Sequence, residues 1–132
     1  LTLHQHIPMF HTEHCVFCTF LSQGHNFKDC GRPCEHHRVR VMDRTYAMHY
    51  LRSDEGCRNT LFNGKAQTAA RYADAMRRAG LSRFRLELLD ESPEQTTRLI
   101  ESYRALLRGK LTPDVLMEKL DLLDRIGVTE TK

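Results

Sequence analysis

Arg83-Phe84-Arg85-Leu86-Glu87-Leu88-Leu89 alternates apolar with charged residues and stands between two helical patterns. Phe84, Leu86 and Leu88 would face one way and Arg85 and Glu87 the other, which predicts a strand. On its N-terminal side, from about Lys65, residues Ala66, Ala69, Ala70, Ala73, Met76 and Arg77 recur at spacings of three and four, and Gly80 follows as a stop. On its C-terminal side, Ser92-Pro93-Glu94-Gln95 reads as a helix start, with an N-cap, a first-turn proline and a capping-box glutamine. Leu99, Ile100, Tyr103, Leu106 and Leu107 form the apolar stripe of that helix, and Gly109 ends it. Thr112-Pro113 repeats the signal for a last helix to about Arg125, with Val115, Leu116, Leu120 and Leu123 as its apolar positions. Helix–strand–helix order predicts an α/β fold with a parallel sheet.

Upstream, Leu1, Leu3 and Ile7 alternate with Thr2 and His4 as in a short strand, which Pro8 ends or marks as an edge. Residues 9–37 are expected to be mostly loop, with a short helix near Val16 to Ser22. Arg38 to Met42 and Ala47 to Leu51, joined by the turn residues Asp43 to Thr45, predict a β-hairpin. Asn59 and Asn63 read as turn or cap residues. The chain divides into residues 1–62 (strand, cysteine-rich region and hairpin) and residues 63–132 (helix, strand, helix, helix), read together as one structural unit. Two strands of βα material do not make a stable parallel sheet alone, and the chain opens on Leu1 already in a strand pattern. It is therefore expected to be a C-terminal piece whose N-terminal part belongs to the same polypeptide.

The 132 residues are 40% hydrophobic and 28% charged, an ordinary globular balance. A net charge of +3 is too mild to argue for nucleic acid on its own. No apolar run approaches the roughly 18 residues of a membrane span. Leu1 to His14 carries four histidines and no apolar h-region, so no signal peptide is expected. The odd count of five cysteines argues against a closed disulfide framework, and a reducing, cytoplasmic setting is the simpler expectation.

All five cysteines fall between Cys15 and Cys57, and all eight histidines lie at or before His49. They run Cys15-x2-Cys18, Cys30-x3-Cys34 and then Cys57. Such crowding of thiols and imidazoles points to a metal or cluster site. Zinc takes four tetrahedral ligands from paired knuckles, and Cys15, Cys18, Cys30 and Cys34 supply that count. A four-iron cluster takes four thiolates at looser spacing, and Cys57 can then contribute. His4, inside the first strand and opposite Leu3, would point into a site if that strand is buried on both faces. Arg32, Arg38, Arg40, Arg44, Arg52 and Arg58 make the N-terminal half locally basic, which suits an anionic substrate or an RNA backbone as well as a solvated surface. No dinucleotide-binding glycine motif, phosphate loop or nucleophile elbow is present. His14 beside Cys15 is not a protease dyad, because neighbours on a strand point to opposite faces.

The strings HTEHCVFCTFLSQG (residues 11–24), DCGRPCEHHRVRVMDR (29–44), SDEGCRNTLFN (53–63) and FRLELL (84–89) together resemble the collagenase-like peptidase family U-thirty-two, and its longer branch most closely. The likeness runs from Leu1 to about Leu107. Leu3-His4-Gln5 stands where the family has V-H-G, Pro8 where it has a first cysteine, and Cys15 where it has a second. Asp29 to Glu35 takes the place of its G-x-C-x-x-P-C-R string. Arg52 to Cys57 takes that of N-S-K-D-L-C, and Arg85-Leu86-Glu87-Leu88 that of the K-I-E-G-R strand. The resemblance implies the C-terminal part of a TIM-like barrel, with a cysteine-rich loop and a β-hairpin insertion. It implies a four-iron, four-sulfur cluster on Cys15, Cys30, Cys34 and Cys57, with Cys18 spare and zinc as the alternative occupant. Relatives are described as collagenase-like proteases, or as oxygen-independent hydroxylases of an RNA base or quinone precursor with prephenate as oxygen source. The thiol-rich, histidine-lined composition suits the second activity, which is the one expected here. A peptidase or a zinc-stabilised RNA-binding module is the alternative. His4, His14, Arg32, Arg38 and Glu87 are the residues expected to meet substrate.

Overall fold

The structure, a computed structural model, describes residues 1–122. In chain order it has β1 (Thr2–Gln5), β2 (Pro8–Thr12), α1 (Val16–Leu21), β3 (Val39–Met42), β4 (Met48–Ser53), β5 (Asn59–Phe62), β6 (Gln67–Thr68), α2 (Ala73–Arg78), β7 (Arg85–Leu86), α3 (Pro93–Leu107) and α4 (Pro113–Leu120). The fold is mixed α/β, and the described residues form no closed barrel. No helix among them is long and apolar enough to cross a membrane. The chain forms two compact units, one of Leu1–Ile7 with the residues from Lys65 onward, the other of Pro8–Gly64.

In the first unit β1 is the middle strand of a three-stranded sheet ordered β6-β1-β7. It runs parallel to β7, as the helix–strand pattern predicts, and antiparallel to β6. Leu3 is 1% exposed and packs with Ala69, Ala70, Ala73, Leu99, Tyr103, Leu106 and Leu116. The alanine stripe is thus buried, but its helix starts later than its periodicity suggests. Gln67 and Thr68 pair with β1, and the Thr68 hydroxyl accepts the Ala70 N–H at 3.1 Å, so regular helix begins only at Ala73. The capping box of α3 forms as read: Ser92 Oγ accepts from Gln95 N, and the Gln95 side chain accepts from Ser92 N. Thr112 caps α4 without a box: its Oγ1 accepts Val115 N–H at 3.3 Å. The expected continuation of α4 through Leu123 to Arg125 lies outside the described residues.

The expected strand over residues 83–89 contracts to Arg85–Leu86. Glu87 N–H still bonds His4 O at 2.8 Å, but the N–H groups of Leu89 and Asp90 are taken by the Glu91 carboxylate. That side chain ends the strand.

The second unit is an antiparallel sheet ordered β2-β5-β4-β3. Its hairpin, β3 with β4, is the one read from the sequence. β2 and β5 fall in stretches expected to be loop or turn. Phe17, Leu51 and Leu61 are its buried apolar core, with Cys15, Val16, Cys34 and Val39 packed against them. The β3–β4 turn is built on Asp43, whose Oδ1 accepts the N–H groups of Thr45 and Ala47 and the Thr45 hydroxyl. Its Oδ2 accepts from His49 Nε2 at 2.8 Å, and His49 Nδ1 accepts the Gly64 N–H at 3.1 Å.

His49 and then the Thr45 hydroxyl hold the Asp43 carboxyl well below the usual carboxylate range. A lowered folded-state pKa adds stability that is present above the ordinary aspartate value and is lost as the pH falls through the folded one. Asp43→Asn is expected to lower the thermal midpoint at neutral pH. The gap to wild type should narrow steadily as the pH is lowered through and below about 4, read by circular dichroism melts across pH.

Candidate metal centre and the polar cluster on the first strand

Strand directions decide where the cysteines gather. β2 ends, β3 begins and β4 turns into β5 at one and the same end of the four-stranded sheet. β2 and β3 are its two edges, so residues 13–38 must cross that end from edge to edge. They carry Cys15, Cys18, Cys30 and Cys34, while Cys57 sits on the β4–β5 turn. None of the five is in a disulfide.

Cys15 is the N-cap of α1, and its Sγ accepts from Cys18 N at 3.5 Å. Asn59, fully buried at the start of β5, donates from Nδ2 to the same sulfur at 3.7 Å, and its Oδ1 accepts Val16 N–H at 2.6 Å. Asn59 is thus a cap, but for a helix 43 residues away in the chain rather than for its own turn. Cys30 receives Arg32 N–H on its sulfur at 3.4 Å. Gly31 and Arg32 both take left-handed φ, 69° and 53°, which folds the chain back over Cys30 before Pro33 opens a short helical turn. N–H groups aimed at sulfur orient it as a ligand and offset the charge it carries on a metal.

Cys18 is 7% exposed and donates to Gly24 O at 3.6 Å. Burial pushes its thiol pKa up, and the neighbouring Cys30, Cys15 and Asp29 push it further. Gly24 lies against the backbone of Asp29 and Cys30, where a Cβ would collide. Ser22 Oγ closes the same loop by donating to Cys30 O at 2.7 Å. Cys18 therefore stands with Cys15 and Cys30, although the family pattern leaves it spare. Cys34 packs against the Phe17, Leu51 and Leu61 core, and Cys57 is exposed with φ 62°. No three of these sulfurs lie within 4.8 Å of one another. Tetrahedral zinc, with Zn–S near 2.3 Å, would hold its sulfurs about 3.8 Å apart.

The residues expected to meet substrate divide. His14 and Arg38 are exposed on the cysteine-bearing crossover, as is Arg32, which pairs with Glu35 at 3.2 Å. Glu87 is exposed and pairs with Arg85 at 3.5 Å. His4 is 2% exposed on β1, as expected for a strand buried on both faces. Its Nδ1 bonds the Tyr103 hydroxyl at 3.1 Å, and that hydroxyl bonds Thr68 Oγ1 at 2.7 Å. Its Nε2 is buried without a partner. Beside it, His6 Nε2 lies 3.0 Å from Glu91 Oε1, with the two side chains only 10% and 13% exposed. The His4 and His6 rings meet edge to face at 6.0 Å.

Burial, then the nearby His6, lowers the His4 pKa to about 4, so its imidazole is neutral at pH 7. Burial raises the Glu91 pKa, but bonds from His6 and the Leu89 N–H outweigh it and bring it down to about 2. Burial lifts Tyr103 to about 12, which keeps its proton available for bonding. His6, Glu91, Tyr103 and Thr68 were not read as site residues. The alternation of His4 with His6 along one strand was a usable signal. Glu91, 85 residues further on, gave none.

No family model, no curated protein and no solved structure matches this chain.

Two substitutions test these networks. Asn59→Ala removes the acceptor of a buried N–H and should cost about 1–3 kcal/mol. Tyr103→Phe strands His4 Nδ1, leaves Thr68 Oγ1 with only the Ala70 N–H, and should cost a similar ~1–3 kcal/mol. Urea unfolding at pH 7 measures both.

Proposed function

We propose that the cysteine-bearing end of the four-stranded sheet holds a four-iron, four-sulfur cluster and that the chain acts in oxygen-independent hydroxylation of an RNA base or similar aromatic substrate. The reading takes the chain as the C-terminal part of a TIM-like barrel of the U-thirty-two kind. One observation carries it: a single crossover brings four cysteines to one end of a sheet, with N–H groups directed at the sulfurs of Cys15 and Cys30. The donor set is all thiol, the ligand type such a cluster takes, with no three of the sulfurs within 4.8 Å of one another. Cys15, Cys30 and Cys34 are three ligands. Cys18 is the fourth, because it stands beside Cys30 and Cys15 whereas Cys57 is exposed.

When bound, such a cluster supplies electron transfer. The chain's own residues do the rest. The Arg32 and Arg38 side chains are exposed on the same crossover and suit an anionic oxygen donor such as prephenate, or RNA phosphate. His14, next to Cys15, offers an imidazole for proton transfer at that end.

Anaerobically purified chain, joined to its N-terminal part where one exists, should contain iron and acid-labile sulfide in equal amounts, with broad visible absorbance bleached by dithionite. Serine at Cys15, Cys18, Cys30 or Cys34 should abolish that absorbance, and Cys57→Ser should retain it. Loss at Cys57 with retention at Cys18 would exchange those two in the ligand set. Colourless protein holding one zinc would replace the cluster with a zinc module. Peptide cleavage that survives Cys15→Ala would assign the peptidase activity instead.

A further inference from the structure

We propose that His4, His6 and Glu91 form a second metal site, one that binds a divalent first-row transition ion through two imidazoles and one carboxylate. The three side chains bring ligand atoms within 4.8 Å of one another, the one such group of histidine, cysteine and acidic residues found among those described. They belong to the unit built on β1 and share no residue with the cysteine crossover. The site stands independently of the proposed cluster.

A plain ion pair accounts for His6 and Glu91 but not for His4. A buried ring nitrogen with no partner costs about 1–3 kcal/mol, and such atoms are rare in folded proteins. The hydrogen-bond chain behind the ring bears on what kind of atom it is. Thr68 Oγ1 accepts the Ala70 N–H. One of the two donor assignments open to the chain has the Tyr103 hydroxyl donating to Thr68 Oγ1 and accepting from His4 Nδ1–H. That assignment leaves Nε2 a bare lone pair, which is the form in which imidazole binds metal. The Tyr103–Thr68 pair then serves as the outer partner that fixes the ring and its tautomer.

Glu91 is prepared in the same way. Its Oε2 is taken by two backbone N–H groups, of Leu89 at 2.7 Å and Asp90 at 3.0 Å, which leaves Oε1 facing His6 Nε2. The 3.0 Å between those two atoms suits two ligands on one ion, whose bonds of ~2.1 Å set neighbouring donors about 3 to 3.4 Å apart. His4 completes the set, with its ligand nitrogen within 4.8 Å of the other two ligand atoms.

The donor types choose the ion. Two imidazoles disfavour calcium and magnesium, which prefer oxygen, and the absence of sulfur disfavours a soft ion. Zinc, cobalt or ferrous iron fit, since two histidines and a carboxylate are a known donor set for each of zinc and iron. Three protein ligands leave at least one position for water or a substrate oxygen, so the site is of the catalytic rather than the closed structural kind.

Cobalt(II) distinguishes this site from the cysteines, because thiolate ligation gives intense sulfur-to-metal charge transfer and a nitrogen–oxygen set gives only weak d–d bands. Titrating the full chain with cobalt should develop both components. His6→Ala and Glu91→Gln should each weaken the thiolate-free component at least tenfold and leave the charge-transfer band intact, while Cys15→Ser should do the reverse. Wild-type protein gives a second readout that needs no variant to fold: substoichiometric cobalt should shift or broaden the ring resonances of His4 and His6 before those of the exposed His36 and His37. Cobalt bound only through thiolates, unchanged binding in both His6→Ala and Glu91→Gln, or undisturbed His4 and His6 resonances would overturn the proposal.

Discussion

Antiparallel pairing of β2 with β5, of β5 with β4 and of β4 with β3 leaves the end of β2 and the start of β3 on opposite edges of one sheet, at the same end. The chain between them has no route except across that end. Everything chemical about the second unit follows from this constraint. Residues far apart in sequence are laid over a short distance, and the β4–β5 turn rises beside them. The crossover is held down by side chain to backbone bonds rather than by a large core. Asn59 reaches from β5 to Val16 and Cys15, Ser22 ties itself to Cys30, and Asp29 gathers the N–H groups of His25 and Asn26. A buried amide that joins a strand to a helix terminus in this way fixes the sulfur it touches as firmly as it fixes the backbone.

In the first unit a different constraint acts. β1 is the middle strand and is covered on both sides, so a polar residue on it must find its partners among other buried groups. His4 finds Tyr103 from α3, whose hydroxyl in turn bonds Thr68 of β6. Tyr103 is 2% exposed and belongs to the same apolar cluster as Leu3 and Leu116, so the packing that stabilises the unit also sets the imidazole. Glu91 plays a comparable double part. Its carboxylate takes the N–H groups that would have prolonged β7, and it faces His6 with the oxygen that remains.

Features that depend on neighbours in sequence were legible before the fold was known. The Ser92–Gln95 capping box, the Thr112 cap, the hairpin of β3 and β4, and the buried alanine stripe all rest on residues within a few positions of each other. Long-range pairing was not legible. Asn59 reads locally as a turn residue and proves to be fully buried, because its partners are 43 and 44 residues upstream. β2 was hidden by Pro8 and by a run of polar and exposed residues. Pro8 is tolerated there because β2 is an edge strand. β6 was absorbed into a helical pattern because alanine spacing reports the burial of a face, not where a helix begins. Of the candidate site, the crowding of cysteines was visible in the sequence. The reach of Glu91 to His6 was not.

The second unit's apolar core also bears on the metal question. Phe17, Leu51 and Leu61 are its buried members, and the side chains that complete their surroundings include Cys15 and Cys34. A segment of this size, 8–64, has few buried apolar side chains to set against the backbone freedom it loses on folding. Small units meet that deficit with disulfides, metals or a larger body to fold against. The cysteines are not in disulfides, and Cys15 and Cys34 lie against this small core. A metal or cluster on Cys15, Cys18, Cys30 and Cys34 would tie the two halves of the crossover together and add its binding free energy to that of folding.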